Sequence, residues 1–190
     1  MRVIKKFFSK TNLILYAIIA VLMLVDIASK YIVQTHIALG DSVTFIPGFL
    51  DFTYTLNKGA AWSMFAGQDS ATLILGIISV VFAIACFAFN YFFNKGKNLL
   101  YYFGFCLTLA GTLGNAFDRL FLGAVRDFIK TTFMSFPIFN IADMCLVVGL
   151  VLICIWYIIQ AFKTDKKSSG GGDEDNAQLE QNEDSGKIIK

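Results

Sequence analysis

Asp127 and Asp143 stand sixteen residues apart in a stretch, Gly111 to Asp143, that sets Asn115, Asp118, Arg119, Arg126, Lys130 and Asn140 between two long apolar runs. Polar side chains at the edge of a bilayer cost free energy unless they are paired or used, so such a cluster is a functional hypothesis by default. Two carboxylates brought close together cannot both ionise: one keeps a proton while the other stays charged. In that state the pair can activate a water and protonate a leaving amine. Other hydrolytic chemistries find little here. His36 is the only histidine, and no GxSxG-type elbow exists. Cys86, Cys106, Cys145 and Cys154 lie inside apolar runs without CxxC spacing, so they read as small buried hydrophobes rather than as metal ligands or a disulfide framework. An aspartyl mechanism is the simplest proposal, provided the chain between Asp127 and Asp143 folds back on itself.

Each of these residues also has a plainer role. Asn140 is a good helix N-cap, and a carboxylate three residues later is favoured by the helix dipole. Asn115, Asp118 and Arg119 fall at i, i+3 and i+4, so they share a helix face, and a structural network is the favoured reading for Asp118 and Arg119. Asp26 and Lys30 are four apart on one face, which predicts a mutual ion pair with the lysine snorkelling outward.

The elements that must carry these groups are legible from hydropathy. The chain has 190 residues, 56% of them hydrophobic, and four apolar runs approach or exceed the ~20 residues a spanning helix needs. They are Leu13–Val33, Ala71–Phe93, Leu99–Phe117 and roughly Ile141–Phe162. Arg2, Lys5, Lys6 and Lys10 precede the first run, Lys95 and Lys97 sit between the second and third, and Lys163, Lys166 and Lys167 follow the fourth. The positive-inside rule then places both termini in the cytoplasm and the aspartates at the outer face. The first run has features of a cleaved signal peptide, but no clean small-x-small site follows and the hydrophobicity resumes past Asp26, so a retained span is expected.

In the outer loop, Leu50, Phe52, Tyr54 and Leu56 alternate with polar residues, the period-2 pattern of a half-exposed strand. Val43–Ile46 is a second strand candidate, with a turn at Pro47-Gly48 between the two. GAVRDFI, which holds Asp127, has strand-like or looped character. The expected fold is an α-helical integral membrane protein: four transmembrane helices with a small β-sheet cradle on the outer face. Residues 1–163 form the core, with the outer cradle and surface segment at about 34–70. The tail, 164–190, is polar, glycine-rich and acidic, and is expected to be disordered in the cytoplasm.

Five ordered motifs carry a resemblance: Asp26-Ile-Ala-Ser-Lys30, Asn57-Lys-Gly59-Ala60-Ala61, Gly114-Asn115-Ala-Phe-Asp118-Arg119, Gly123-Ala-Val-Arg-Asp127-Phe128-Ile129 and Phe139-Asn140-Ile-Ala142-Asp143. In order, and set among four membrane runs, they resemble the lipoprotein signal peptidases, also called signal peptidase II or prolipoprotein signal peptidase. The resemblance covers about Leu13 to Phe162. It implies a membrane-embedded aspartyl endopeptidase that cleaves just before a diacylglyceryl-modified cysteine, with Asp127 and Asp143 as the catalytic dyad. Asn57, Gly59, Asn115, Arg119, Asn140 and Ala142 are implied as substrate-binding or supporting residues, and Asp26, Lys30 and Asp118 as structural polar support. The implied partners are diacylglyceryl-modified prolipoproteins and membrane lipids, with no nucleic acid, cofactor or metal. The implied location is the bacterial cytoplasmic (inner) membrane, with the active site toward the outer leaflet. NKGAAWSMF corresponds to a segment over the active site, where Trp62 stands in place of the family's more usual phenylalanine.

Two rivals compete with this reading. A proton-coupled carrier would use the aspartates as a relay, but such proteins usually show repeated halves and midplane sites, whereas here the acids gather at one face. A non-catalytic assembly subunit would merely pair its Asp and Arg residues.

Overall fold

The structure, a computed structural model, describes residues 10–59, 71–93 and 98–186; for Phe93 and 165–186 the backbone alone is described. The segment with Ala60, Ala61 and Trp62, and the turn with Lys95 and Lys97, lie outside the described residues. The elements run α1 (Lys10–His36), β1 (Ser42–Ile46), β2 (Leu50–Asn57), α2 (Ala71–Phe93), α3 (Leu99–Phe121), β3 (Val125–Thr131) and α4 (Ile141–Gly186). By length and composition four of the helices can cross a membrane, over Lys10–His36, Ala71–Phe92, Leu99–Phe121 and Ile141–Thr164.

The four spans are not equivalent. α3 has the lowest mean hydropathy, 1.2 against 2.2 to 2.7, yet 72% of its apolar window is buried against 17% for each of the others. A helix shielded by its neighbours can carry polar groups that lipid would not tolerate, so α3 is the axis of the bundle and α1, α2 and α4 present the apolar exterior. Small residues make the close contacts. A Cβ on Gly111 would run into the carbonyl of Ala142 and the backbone nitrogen of Leu146, and one on Gly114 would lie 2.7 Å from Asp26 Oδ2. Gly111 thus lets α4 approach α3 at backbone distance, and Gly114 leaves room for the Asp26 carboxylate of α1, as expected for small residues in membrane helix packing.

The chain forms two compact units, Met1–Leu152 and Ile153–Lys190. The second is the remainder of α4, in which Trp156 and Tyr157 meet edge to face at 4.8 Å. Its helical backbone runs through Gly186. Helical hydrogen bonds are local and need no tertiary burial, although three consecutive glycines make such a helix marginal in water. Of the cysteines, Cys106 and Cys145 are buried and Cys86 half-buried, but Cys154 is exposed on its span, so only part of the set behaves as buried hydrophobes.

The sheet is three-stranded and antiparallel, in the order β1-β2-β3. β1 and β2 are joined through Pro47-Gly48, where Phe49 N–H donates to the Ile46 carbonyl at 3.0 Å and Gly48 adopts φ 72°; proline then glycine at these positions suits a type II turn. The alternation along β2 is less regular than its sequence. Leu56 is 41% exposed and Thr53 is buried, because the pairing register with β3 shifts between Phe52 and Thr55, and a bulge re-aims the side chains beyond it. Tyr54 and Phe128 pack with Val33 of α1 into a cluster flanked by Ile37, Phe52, Ile129 and Ile141, which seats the sheet on the helix ends.

Candidate active site

The chain does fold back between the two aspartates. Phe128 and Ile129 of β3 both donate backbone N–H to the Phe139 carbonyl, at 3.0 and 2.8 Å, and Phe139 N–H returns a bond to Ile129 at 3.1 Å. This isolated bridge lays residue 139 alongside β3, and the next residue, Asn140, begins α4.

Asn140 is the joint of the site. Its side-chain oxygen accepts from Asp143 N–H at 2.9 Å, while its own N–H donates to Asp143 Oδ2 at 3.0 Å. This reciprocal pair is a capping box, which satisfies two helix-terminal donors at once. Its Nδ2 then donates to Asp127 Oδ1 at 2.6 Å and to Asn115 Oδ1 at 3.1 Å. One fully buried residue therefore touches both aspartates.

The remaining oxygens are held by amides as well. Asn57 Nδ2 donates to Asp127 Oδ2 at 3.0 Å. In the β2–β3 register Thr55 faces Asp127 and Asn57 faces Val125, so Asn57 is the diagonal neighbour two residues on, within reach of a cross-strand contact. Asn115 Nδ2 donates to Asp143 Oδ1 at 2.6 Å. Asp127 is 3% exposed; burial pushes its carboxyl up to about 6, the nearby Asp143 charge adds to the rise, and the Asn57 and Asn140 amides oppose it. The rise has a plain cause, since ionisation of Asp127 means a buried charge facing a second one.

Beside this pair lies a cluster of charged groups. Lys30 Nζ is 2.8 Å from Asp26 Oδ2 and 3.4 Å from Asp118 Oδ2, and it donates to Asn115 Oδ1 at 3.0 Å. The expected Asp26–Lys30 pair forms, but the lysine does not snorkel: its side chain is wholly buried. Three oxygens from two helices compensate its desolvation, which two residues of one helix could not do alone. Asp26 Oδ1 also accepts Ala142 N–H at 2.9 Å, tying α1 to the start of α4. Asp118 binds Arg126, at 2.7 Å from Nη2 and 3.2 Å from Nε, and accepts the Arg126 backbone N–H at 3.0 Å.

Asp118 therefore pairs with Arg126 and Lys30, whereas Arg119 turns away. Arg119 Nη2 donates to the Gly59 carbonyl at 3.4 Å, Gly59 N–H donates to Asn57 Oδ1 at 3.0 Å, and the buried Arg119 Nε has no hydrogen-bond partner among the described residues. All the aspartates, asparagines and Arg119 singled out from the sequence thus gather around one end of α3. Arg126 belongs to the polar cluster seen in the sequence but had no role assigned there, and Gln34, whose side-chain oxygen accepts from Arg126 Nη1 at 3.0 Å, was not singled out. The available signal was the strand period: Arg126 must point opposite to Asp127, and an arginine on the inner face of a strand requires a buried acid.

An apolar cavity of about 1200 Å³ lies next to the site. Its walls include Val33 of α1, Leu107 of α3, Phe52 and Phe128 of the sheet, and Met144 and Val148 of α4. Phe128 and Met144 directly follow the two aspartates in sequence, so the elements that bear Asp127 and Asp143 also wall this cavity.

A family model described as signal peptidase (SPase) II matches residues 18–159. A lipoprotein signal peptidase of Enterococcus faecalis is 40% identical over 160 residues, covering 84% of this chain and 96% of that protein. One from Lactobacillus gasseri is 41% identical over 151 residues, covering 79% and 96%, and one from Staphylococcus aureus is 41% identical over 155 residues, covering 80% and 90%. Among solved structures, a bacterial membrane enzyme determined in meso at 2.3 Å superposes with a TM-score of 0.69 at 36% identity, covering 77% of this chain and 88% of that one.

Proposed function

This chain belongs to the signal peptidase II family, a family of membrane peptidases that process lipoproteins, and we propose that it cuts its substrate with Asp127 and Asp143 acting as an aspartyl dyad. The substrates are prolipoproteins, from which the signal peptide is removed. The scissile bond is the one just before a cysteine carrying a diacylglyceryl group.

The observation that carries the mechanism is the Asn140 bridge, with Nδ2 on Asp127 and both Oδ1 and N–H on Asp143. Asp127 starts with the proton and Asp143 as the carboxylate, which sits in the first turn of α4 where the helix dipole favours negative charge. Asp143 takes a proton from the attacking water, whose oxygen adds to the peptide carbonyl. Asp127 protonates that carbonyl oxygen as the tetrahedral intermediate forms. Collapse breaks the C–N bond: the proton gained by Asp143 goes to the leaving amine of the lipid-modified cysteine, and a hydroxyl of the intermediate returns a proton to Asp127 as the carboxyl product forms. The pair titrates as a unit. Arg119, with its Nε unpartnered among the described residues, and Gly59 line the position of an extended substrate backbone, where a cation steadies developing negative charge.

The membrane location follows the same logic. A diacylglyceryl cysteine is retained in the bilayer, so its peptidase holds the dyad at the lipid edge, with the acyl chains in the adjoining apolar cavity and the peptide along the outer face. We assign the protein to the bacterial cytoplasmic membrane, multi-pass, with both termini inside, a peptidase core over 1–163 and a tail over 164–190 without a catalytic part.

The test is complementation. Asp127→Asn and Asp143→Asn variants are expressed in cells lacking their own enzyme, and a lipidated precursor is followed on gels. Accumulated precursor at normal enzyme levels is the expected result. Processing at the wild-type rate by either variant removes the dyad.

A further inference from the structure

The geometry points to Arg126 as a positioning residue that sets Asp127 against Asp143, an inference that rests on the dyad reading above. The two aspartates belong to different parts of the molecule. Asp143 is on α4 and is gripped by Asn115 of α3 at 2.6 Å. Asp127 is on the sheet, and its Asn57 contact comes from the neighbouring strand, which moves with it. Asn57 therefore cannot hold Asp127 relative to the helices, and Asn140, which bonds it from the N-cap of α4 at 2.6 Å, cannot by one side-chain contact fix the direction of the strand.

Arg126 can. It is the residue before Asp127 on β3, 5% exposed, and its guanidinium reaches two helices. Nη2 and Nε fork onto the two oxygens of Asp118 on α3 at 2.7 and 3.2 Å, and Nη1 donates to Gln34 of α1 at 3.0 Å. The backbone N–H of Arg126 also binds Asp118 at 3.0 Å, so main chain and side chain are anchored together. A planar fork fixes direction as well as distance, which a point charge does not.

α3 is the common reference. Asn115 and Asp118 lie three apart on one helix face; the first grips Asp143, and the second grips the residue adjoining Asp127. Because successive strand side chains point to opposite faces, rotation of β3 that freed Arg126 from Asp118 would swing Asp127 in the opposite direction. The spacing of the dyad is thereby referred to one turn of a single helix. Charge balance alone would not require the Gln34 contact, since Gln34 is neutral.

The experiment compares Arg126→Leu, Arg126→Lys and Gln34→Leu in purified, folded enzyme acting on a lipidated precursor, with Asp127→Asn as the control. Hydrogen bonds to charged groups contribute roughly 1.5–3 kcal/mol, or about 10- to 100-fold in rate. Arg126→Leu is expected to lower kcat by that factor with KM unchanged. Arg126→Lys recovers part of the loss, and Gln34→Leu, which leaves the Asp118 fork intact, shows a smaller one. Wild-type kcat per folded molecule in all three, with only a lower Tm, overturns the inference. Should Arg126→Leu not fold, the other two decide: lowered kcat in both supports positioning, and wild-type kcat in either overturns it. If Asp127→Asn still turns over, the dyad reading itself fails; if it is inactive while the Arg126 and Gln34 variants retain kcat, only the positioning role fails.

Discussion

Two pairs of carboxylates lie side by side at one end of this molecule and are held in opposite ways. Asp26 and Asp118 have cations on them: Lys30 within 2.8 and 3.4 Å, and Arg126 within 2.7 Å of Asp118. Asp127 and Asp143 are held by the amides of Asn57, Asn115 and Asn140 and by a backbone N–H, with no Lys or Arg at ion-pair distance among the described residues. The difference has a chemical meaning. A full counter-charge compensates a buried carboxylate and ties it to its cation, whereas neutral amides orient a carboxylate without cancelling its charge. In the mechanism proposed above, the first pair builds the frame and the second reacts.

The comparison can be broken most directly at the reactive pair. Asp127→Asn or Asp143→Asn should reduce kcat by at least the factor of about 10²–10⁴ that positioned acid–base groups supply, while circular dichroism still reports a helical, folded protein. Loss of folding instead would move Asp127 or Asp143 into the framing class. The complementary break is Lys30→Met, which strands the buried Asp26 carboxylate and leaves Asp118 to Arg126 alone. Removing one partner of a buried ion pair costs about 3–5 kcal/mol, so this variant should fail in thermal melts and yield, while whatever folds keeps a near-normal kcat. A folded, stable Lys30→Met enzyme with no activity would reverse the assignment.

Asn140→Ala sharpens the boundary between the two regions because it removes the joint. The N-cap loss should cost about 1 kcal/mol of stability, and the missing contacts to both carboxylates should lower kcat by roughly 10- to 100-fold; Tm and single-turnover rates read the two effects separately. The smallest effect is in the pH profile. With Asp127 pushed up to about 6 and serving as the proton donor, kcat/KM should be full below that value and fall as pH rises through it. Substrate that covers the site adds desolvation, so the corresponding limb in kcat should lie at higher pH. A kcat/KM that instead rises through pH 6 would make Asp127 the base.

Much of this architecture was legible in the residues. Leu13–Val33 and its three counterparts announce themselves because a bilayer demands about 20 apolar residues per span, and each appears as a helix with ends shifted by a few residues. Val43–Ile46 and the alternating Leu50–Leu56 stretch announce strands through their period, and β1 and β2 occupy them. Asn140 as a cap and Asp143 in the first turn likewise needed only local chemistry. What failed to show was every relation between elements. Lys30 reads as a residue that escapes to water, and Asp118 and Arg119 as members of a structural network without named partners, because sequence offers only neighbours at helical spacing.

By itself, then, the sequence determined which segments cross the membrane, where the strands lie, and that acids and asparagines crowd the chain between α3 and α4. These follow from local forces: hydropathy, backbone period and capping. The tertiary structure alone decided which carboxylates receive cations and which receive amides. Those partners come from α1, α2-flanking β2, α3, β3 and α4, as far as 116 residues apart. An ion pair or a hydrogen bond acts over about 3 Å, a distance that sequence separation does not specify and that only the folded chain sets.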